Sequence, residues 1–124
     1  MTNEKQKILI IEDEKPLAHA LELKLAHEGF DVKSIGNGET MLSLVQSENF
    51  SLIVSDLVMP KVDGFQVLQI LRDNNIKIPV IILTNLSQPE DEKRVKDLGA
   101  TDLFIKSNTP LSKIVEHIKE TLNK

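Results

Sequence analysis

The stretch IVSDLVMPKVDG, residues 53–64, changes character abruptly. An apolar run, Leu52–Ile53–Val54, stops at a carboxylate, Asp56, and Pro60 and Gly64 then punctuate a sharp turn. The run is too short for a helix and reads as a strand buried on both faces. Ile8–Ile11 and Val80–Leu83 have the same apolar, β-branched character. Phe30–Ile35 only partly alternates and Leu103–Ile105 is very short, so these two suit the edges of a sheet.

Helical patterns fill the gaps between these strands. Leu17, Leu21 and Leu25 share a face after Pro16, with Gly29 as a stop. Met41, Leu42 and Val45 follow the turn residues Gly36–Gly38, and Phe65, Leu68 and Leu71 form a third stripe. Leu111, Ile114, Val115, Ile118 and Leu122 form the cleanest stripe, with Thr109 expected as N-cap and Pro110 as the first helical residue. The helix after Pro89 offers only Val95 and Leu98, so its grip on the core should be weak. Strand and helix alternate five times, which predicts an α/β fold: a parallel sheet, helices on both faces, right-handed crossovers.

Bulk properties narrow the function classes. The 124 residues suit one domain over residues 1–124, with no repeat or linker. Net charge is −4 without a basic block, which argues against direct nucleic-acid binding. Aromatics are only 3%, so a base-stacking surface is not expected. Without cysteine there is no disulfide, thiol chemistry or Cys-ligated metal. The polar start MTNEKQK is neither a signal peptide nor a membrane span, which makes a cytoplasmic location the expectation.

Ligands of open α/β sheets bind beyond the carboxyl ends of the strands. The first strand delivers Glu12 and Asp13 there, the third Asp56, the fourth Thr84 and the fifth Lys106. Two like charges about 4 Å apart repel by roughly 4 kcal/mol at an effective dielectric of about 20. A divalent cation and Lys106 would relieve that repulsion. The donors are hard oxygens, which favours Mg²⁺. A carboxylate beside Mg²⁺ can act as a phosphoryl nucleophile, with metal and lysine neutralising the transferring group.

Over its whole length the chain resembles bacterial response-regulator receiver domains of two-component systems. ILIIEDE is similar to that family's first strand and acidic pair, LIVSDLVMPKVDG to its phosphoacceptor loop, and PVIILTN and GATDLFIK to its Thr and Lys strands. The resemblance implies a five-stranded, doubly wound, flavodoxin-like fold with strand order 2-1-3-4-5 and five helices. It implies Asp56 as phosphoacceptor, with Asp13 and Glu12 as Mg²⁺ ligands and the Val58 carbonyl as a further one. Lys106 would pair with the phosphoryl group and Thr84 would move toward it. The donor would be a sensor histidine kinase or a histidine phosphotransfer protein. The fourth helix, fifth strand and fifth helix would carry the output to a protein partner or to self-association as a homodimer. The module would be no enzyme beyond its own phosphorylation and dephosphorylation.

Three positions depart from the family pattern. Ser107 replaces the usual proline after the lysine; a cis bond without proline costs about 2.5–4 kcal/mol, so a trans peptide is expected. Leu103 stands where a switch aromatic is usual, and Phe104 should face the other way. Asn85 replaces a small residue. Val58 and Leu86, both apolar, flank the phosphoryl position and cannot orient a water, which predicts a long-lived aspartyl phosphate.

Plainer readings compete. Asp56 could be a turn residue, Thr84 an ordinary strand residue and Lys106 a solvated lysine. Glu12 and Asp13 could cap the first helix, and Glu14 and Lys15 are expected to do no more than that. His19, His27 and His117 read as surface or packing residues, and Glu90–Asp97 as a solvated helix face. Two alternative functions stand beside the switch. One is a phosphate-independent binding module; the other is a Mg²⁺-dependent phosphatase, which would want an acid where Val58 lies.

Overall fold

The computed structural model describes residues 5–85 and 88–123. Its elements run β1 (Lys7–Ile11), α1 (Lys15–His27), β2 (Asp31–Ile35), α2 (Met41–Ser47), β3 (Leu52–Ser55), α3 (Gly64–Asp73), β4 (Val80–Thr84), α4 (Pro89–Asp97), β5 (Asp102–Ile105) and α5 (Leu111–Leu122). All pairings are parallel, in the order β2-β1-β3-β4-β5, so the three continuously apolar runs lie in the middle and the two weaker ones at the edges.

Alternation along the strands divides the core in two. Leu9, Ile11, Ile53, Val80 and Ile82 pack with Met41, Val67, Leu68, Leu71 and Val95 from α2, α3 and α4. Ile8, Ile10, Leu52, Val54, Ile81 and Leu83 pack with Ala18, Leu21, Leu25, Ile114, Val115 and Ile118 from α1 and α5. Each fully buried aliphatic side chain contributes roughly 1.5–3 kcal/mol. On that scale α5, with three buried anchors, is held far more firmly than α4, which buries Val95 alone. Leu103 packs on the α3/α4 side and Phe104 on the α1/α5 side, as strand alternation requires.

The start of α5 differs from the sequence expectation. Pro110, not Thr109, is the N-cap: its backbone is extended at φ −64° and ψ 149°. Its carbonyl accepts from the N–H groups of Lys113 and Ile114, so the helix begins at Leu111. Pro110 biases Thr109 to extended backbone as well (φ −125°, ψ 114°), and Thr109 makes no cap.

Candidate functional site

The register of the central strands builds the site. Ile11 lies beside Ser55, so the next residues, Glu12 and Asp56, emerge side by side. The Asp56 N–H donates to the Ile11 carbonyl at 3.1 Å, extending the ladder by one step. Thr84 lies beside Ile105, which puts Lys106 one residue beyond that pair. Glu12, Asp56 and Thr84 are all buried.

The turn after Asp56 is held by backbone contact. Gly64 N–H donates to the Leu57 carbonyl at 2.9 Å, bringing the start of α3 against the Asp56–Leu57 backbone. A Cβ on Gly64 would lie 2.3 Å from the Asp56 carbonyl oxygen and 2.8 Å from Leu57 Cα, so only glycine fits. Asp63 then starts α3 with a reciprocal cap: its side chain accepts from Gln66 N–H, and the Gln66 side chain accepts from Asp63 N–H, each at 2.9 Å. The sharp turn of residues 53–64 thus presents the Asp56 carboxylate at the end of a buried strand.

Lys106 donates to Asp56 Oδ2 at 2.8 Å and lies 2.9 Å from Glu12 Oε1. Asp56 Oδ1 accepts from Leu57 N–H at 2.7 Å and from Val58 N–H at 3.4 Å. Glu12 Oε2 accepts from Glu14 N–H at 3.0 Å. Burial raises the Glu12 carboxyl above its ordinary value; Lys106 and the Glu14 N–H oppose this, and the Asp56 charge adds to it. For Lys106, burial works downward but is overcome by its bonds to Asp56 and Glu12, and its pKa is raised.

Glu12, Asp13 and Asp56 each offer a carboxylate oxygen, all within 4.8 Å of one another. A cavity of about 300 Å³ beside them is lined by Asp13, Glu14, Asp56, Val58, Thr84, Asn85 and Lys106. Every strand-end residue singled out in the sequence therefore reaches one place. The Val58 side chain is exposed at 60%. Leu86 lies outside the described residues. No described peptide bond is cis, which includes Lys106–Ser107.

Two features of the site run against or beyond the sequence reading. Glu14 is the N-cap residue of α1 but makes no side-chain cap; its carboxylate lies 3.5 Å from Lys106 instead. No acid occupies the first turn of α1, because that helix starts only at Lys15, and the N–H of the N-cap residue Glu14 donates to Glu12. Asn85 also takes a part that its position did not suggest: its Oδ1 accepts from Ser107 N–H at 3.1 Å. His117 is a packing residue, as expected, with Nε2 2.7 Å from Asp102 Oδ2 and its ring edge-on to Phe104. Among the described residues no helix is long and apolar enough to cross a membrane.

Residues 8–119 match the response regulator receiver domain family. The chain is 42% identical over 107 residues to the probable transcriptional regulator ycf27 of Porphyridium aerugineum, covering 86% of this chain and 44% of that protein. It is 33% identical over 105 residues to the alkaline phosphatase synthesis transcriptional regulatory protein PhoP of Bacillus subtilis, covering 85% and 44%. It thus spans less than half the length of these curated relatives. The receiver domain of Francisella response regulator 1452 superposes with a TM-score of 0.89 at 29% identity, covering 96% of this chain and 98% of that one. With the alternating fold, the acidic rim and its lysine in place, the chain belongs to the response regulator receiver domains, the phosphorylation-activated switches of two-component signalling.

Proposed function

We propose that Asp56 accepts a phosphoryl group from a phosphohistidine on a sensor histidine kinase or histidine phosphotransfer protein. The observation that carries this is the meeting of Glu12, Asp56 and Lys106 at 2.8–2.9 Å in one buried polar site beside an open cavity. An Asp56 carboxylate oxygen attacks phosphorus, forming an acyl phosphate as the donor's P–N bond breaks. The Leu57 N–H orients the carboxylate through Oδ1. Lys106 is the ammonium that offsets charge on the phosphoryl oxygens, and the Thr84 hydroxyl is the group that turns toward them.

The residues fit Mg²⁺. Three carboxylates against one ammonium leave two negative charges, in a cluster of hard oxygen donors. Glu12, Asp13 and Asp56, with the Val58 carbonyl, would hold the ion, which supplies charge neutralisation at the transferring group.

The phosphoryl group biases two conformations of the domain. The weakly anchored α4, with β5 and α5, is the proposed output surface toward a protein partner or a second copy. The similarity to transcriptional regulators agrees with a switch that controls an effector.

Acetyl phosphate with Mg²⁺ should add about 80 Da, one phosphoryl group, to the wild type by intact mass and nothing to Asp56→Asn. Labelling of both proteins, or of neither, would refute the assignment.

A further inference from the structure

We propose that Asn85 is a positioning residue: its side chain latches the connection that carries Thr84 to the connection that carries Lys106. This rests on Asp56 as phosphoacceptor. The last paired residues of β4 and β5 are Thr84 and Ile105, so the ladder stops where Thr84 and Lys106 must act together. One residue further on, Asn85 Oδ1 accepts from the Ser107 N–H at 3.1 Å and continues the ladder with a side chain. Asn85 lines the same cavity as Asp56, Thr84 and Lys106.

The bond depends on two choices in this sequence. A proline at position 107 would have no N–H to give. A small apolar residue at position 85 would have no acceptor to offer. Because a backbone N–H only donates, the amide of Asn85 must turn its oxygen, not its nitrogen, to Ser107. Thr84 and Lys106 sit on separate connections, yet both must meet the same phosphoryl group. Fixing their separation before the reaction is preorganisation, which speeds transfer without any contact from Asn85 to the donor.

The test follows the acetyl phosphate labelling rate of the full chain with Mg²⁺, together with hydrogen exchange at the Ser107 and Thr84 amides. A solvent-exposed hydrogen bond of this kind corresponds to a factor of about two to ten. Asn85→Ala should slow labelling by about that factor, speed Ser107 exchange and lower the thermal midpoint by only a few °C. Asn85→Asp keeps the acceptor and should restore Ser107 protection, which a bystander at this position would not do. Equal labelling rates in Asn85→Ala and wild type, or unchanged Ser107 exchange, would overturn the proposal. If the wild type itself fails to label, the Asp56 assignment fails. The latch is then judged by exchange alone: faster exchange at both amides in Asn85→Ala supports it, and unchanged exchange refutes it.

Discussion

Lys7 and Lys33 each reach Glu48 at 2.9 Å on one side of the sheet; at the carboxyl ends of the strands, Lys106 reaches Glu12 at 2.9 Å and Asp56 at 2.8 Å. The distances are alike, and the surroundings are not. The first triad has two cations for one acid, with side chains 26–49% exposed. The second has one cation for two buried acids, with side chains 3–10% exposed, and the exposed Glu14 stands 3.5 Å from the same lysine. Glu48 is accordingly lowered from its ordinary pKa by its bonds from Lys33 and Lys7, whereas Glu12 is raised, burial outweighing its lysine. Contact distance does not tell a structural ion pair from a reactive one; burial and the count of charges do. The exposed triad is satisfied. The buried one keeps an excess of negative charge that a cation would complete.

The comparison breaks most readily at the turn that shapes the buried triad. Gly64→Ala forces a Cβ onto the Asp56–Leu57 backbone and should cost about 3 kcal/mol in urea unfolding, with slower phosphoryl labelling. A loss near zero would mean that the α3 start moves freely. Lys106→Met comes next: in Mg²⁺-free buffer it leaves Glu12 and Asp56 facing each other without a cation and should cost about 2 kcal/mol. Added Mg²⁺ should raise its thermal midpoint more than the wild type's, since the ion then has more charge to neutralise.

A titration sharpens the contrast. Glu12 has its folded pKa above 4.5, so its contribution to stability is greatest below that value and is lost as pH rises through the folded one. Glu48 has its folded pKa below 4.5, so its contribution is present above 4.5 and is lost as pH falls through the folded value. Side-chain carboxyl NMR in Mg²⁺-free buffer should find the two on opposite sides of 4.5; finding both below it would erase the distinction. The smallest effect belongs to Glu48→Gln, expected to shift the thermal midpoint by no more than about 2 °C, and by less in high salt.

Glu12, Asp13, Asp56, Thr84 and Lys106 were legible because each lies within two residues of the end of an apolar run. A parallel sheet sends all such ends to one rim, so local pattern alone predicted their company. The edge places of β2 and β5 followed from the same pattern, since Phe30–Ile35 and Leu103–Ile105 are the runs least able to be covered on both faces; the full order came from the family resemblance. The start of α5 was misplaced by one residue, because the proline rule fixes a preference for Pro110 at a helix start but not which residue takes helical backbone.

The sequence by itself determined the layers, the rim and the acids upon it, because side-chain period and strand ends are properties of neighbours along the chain. Only the tertiary structure decided that Gly64 touches the Asp56 backbone, that Glu14 faces Lys106 and that Asn85 ties to Ser107. Those contacts join residues on different elements, and their existence depends on register and loop path, which no local periodicity encodes.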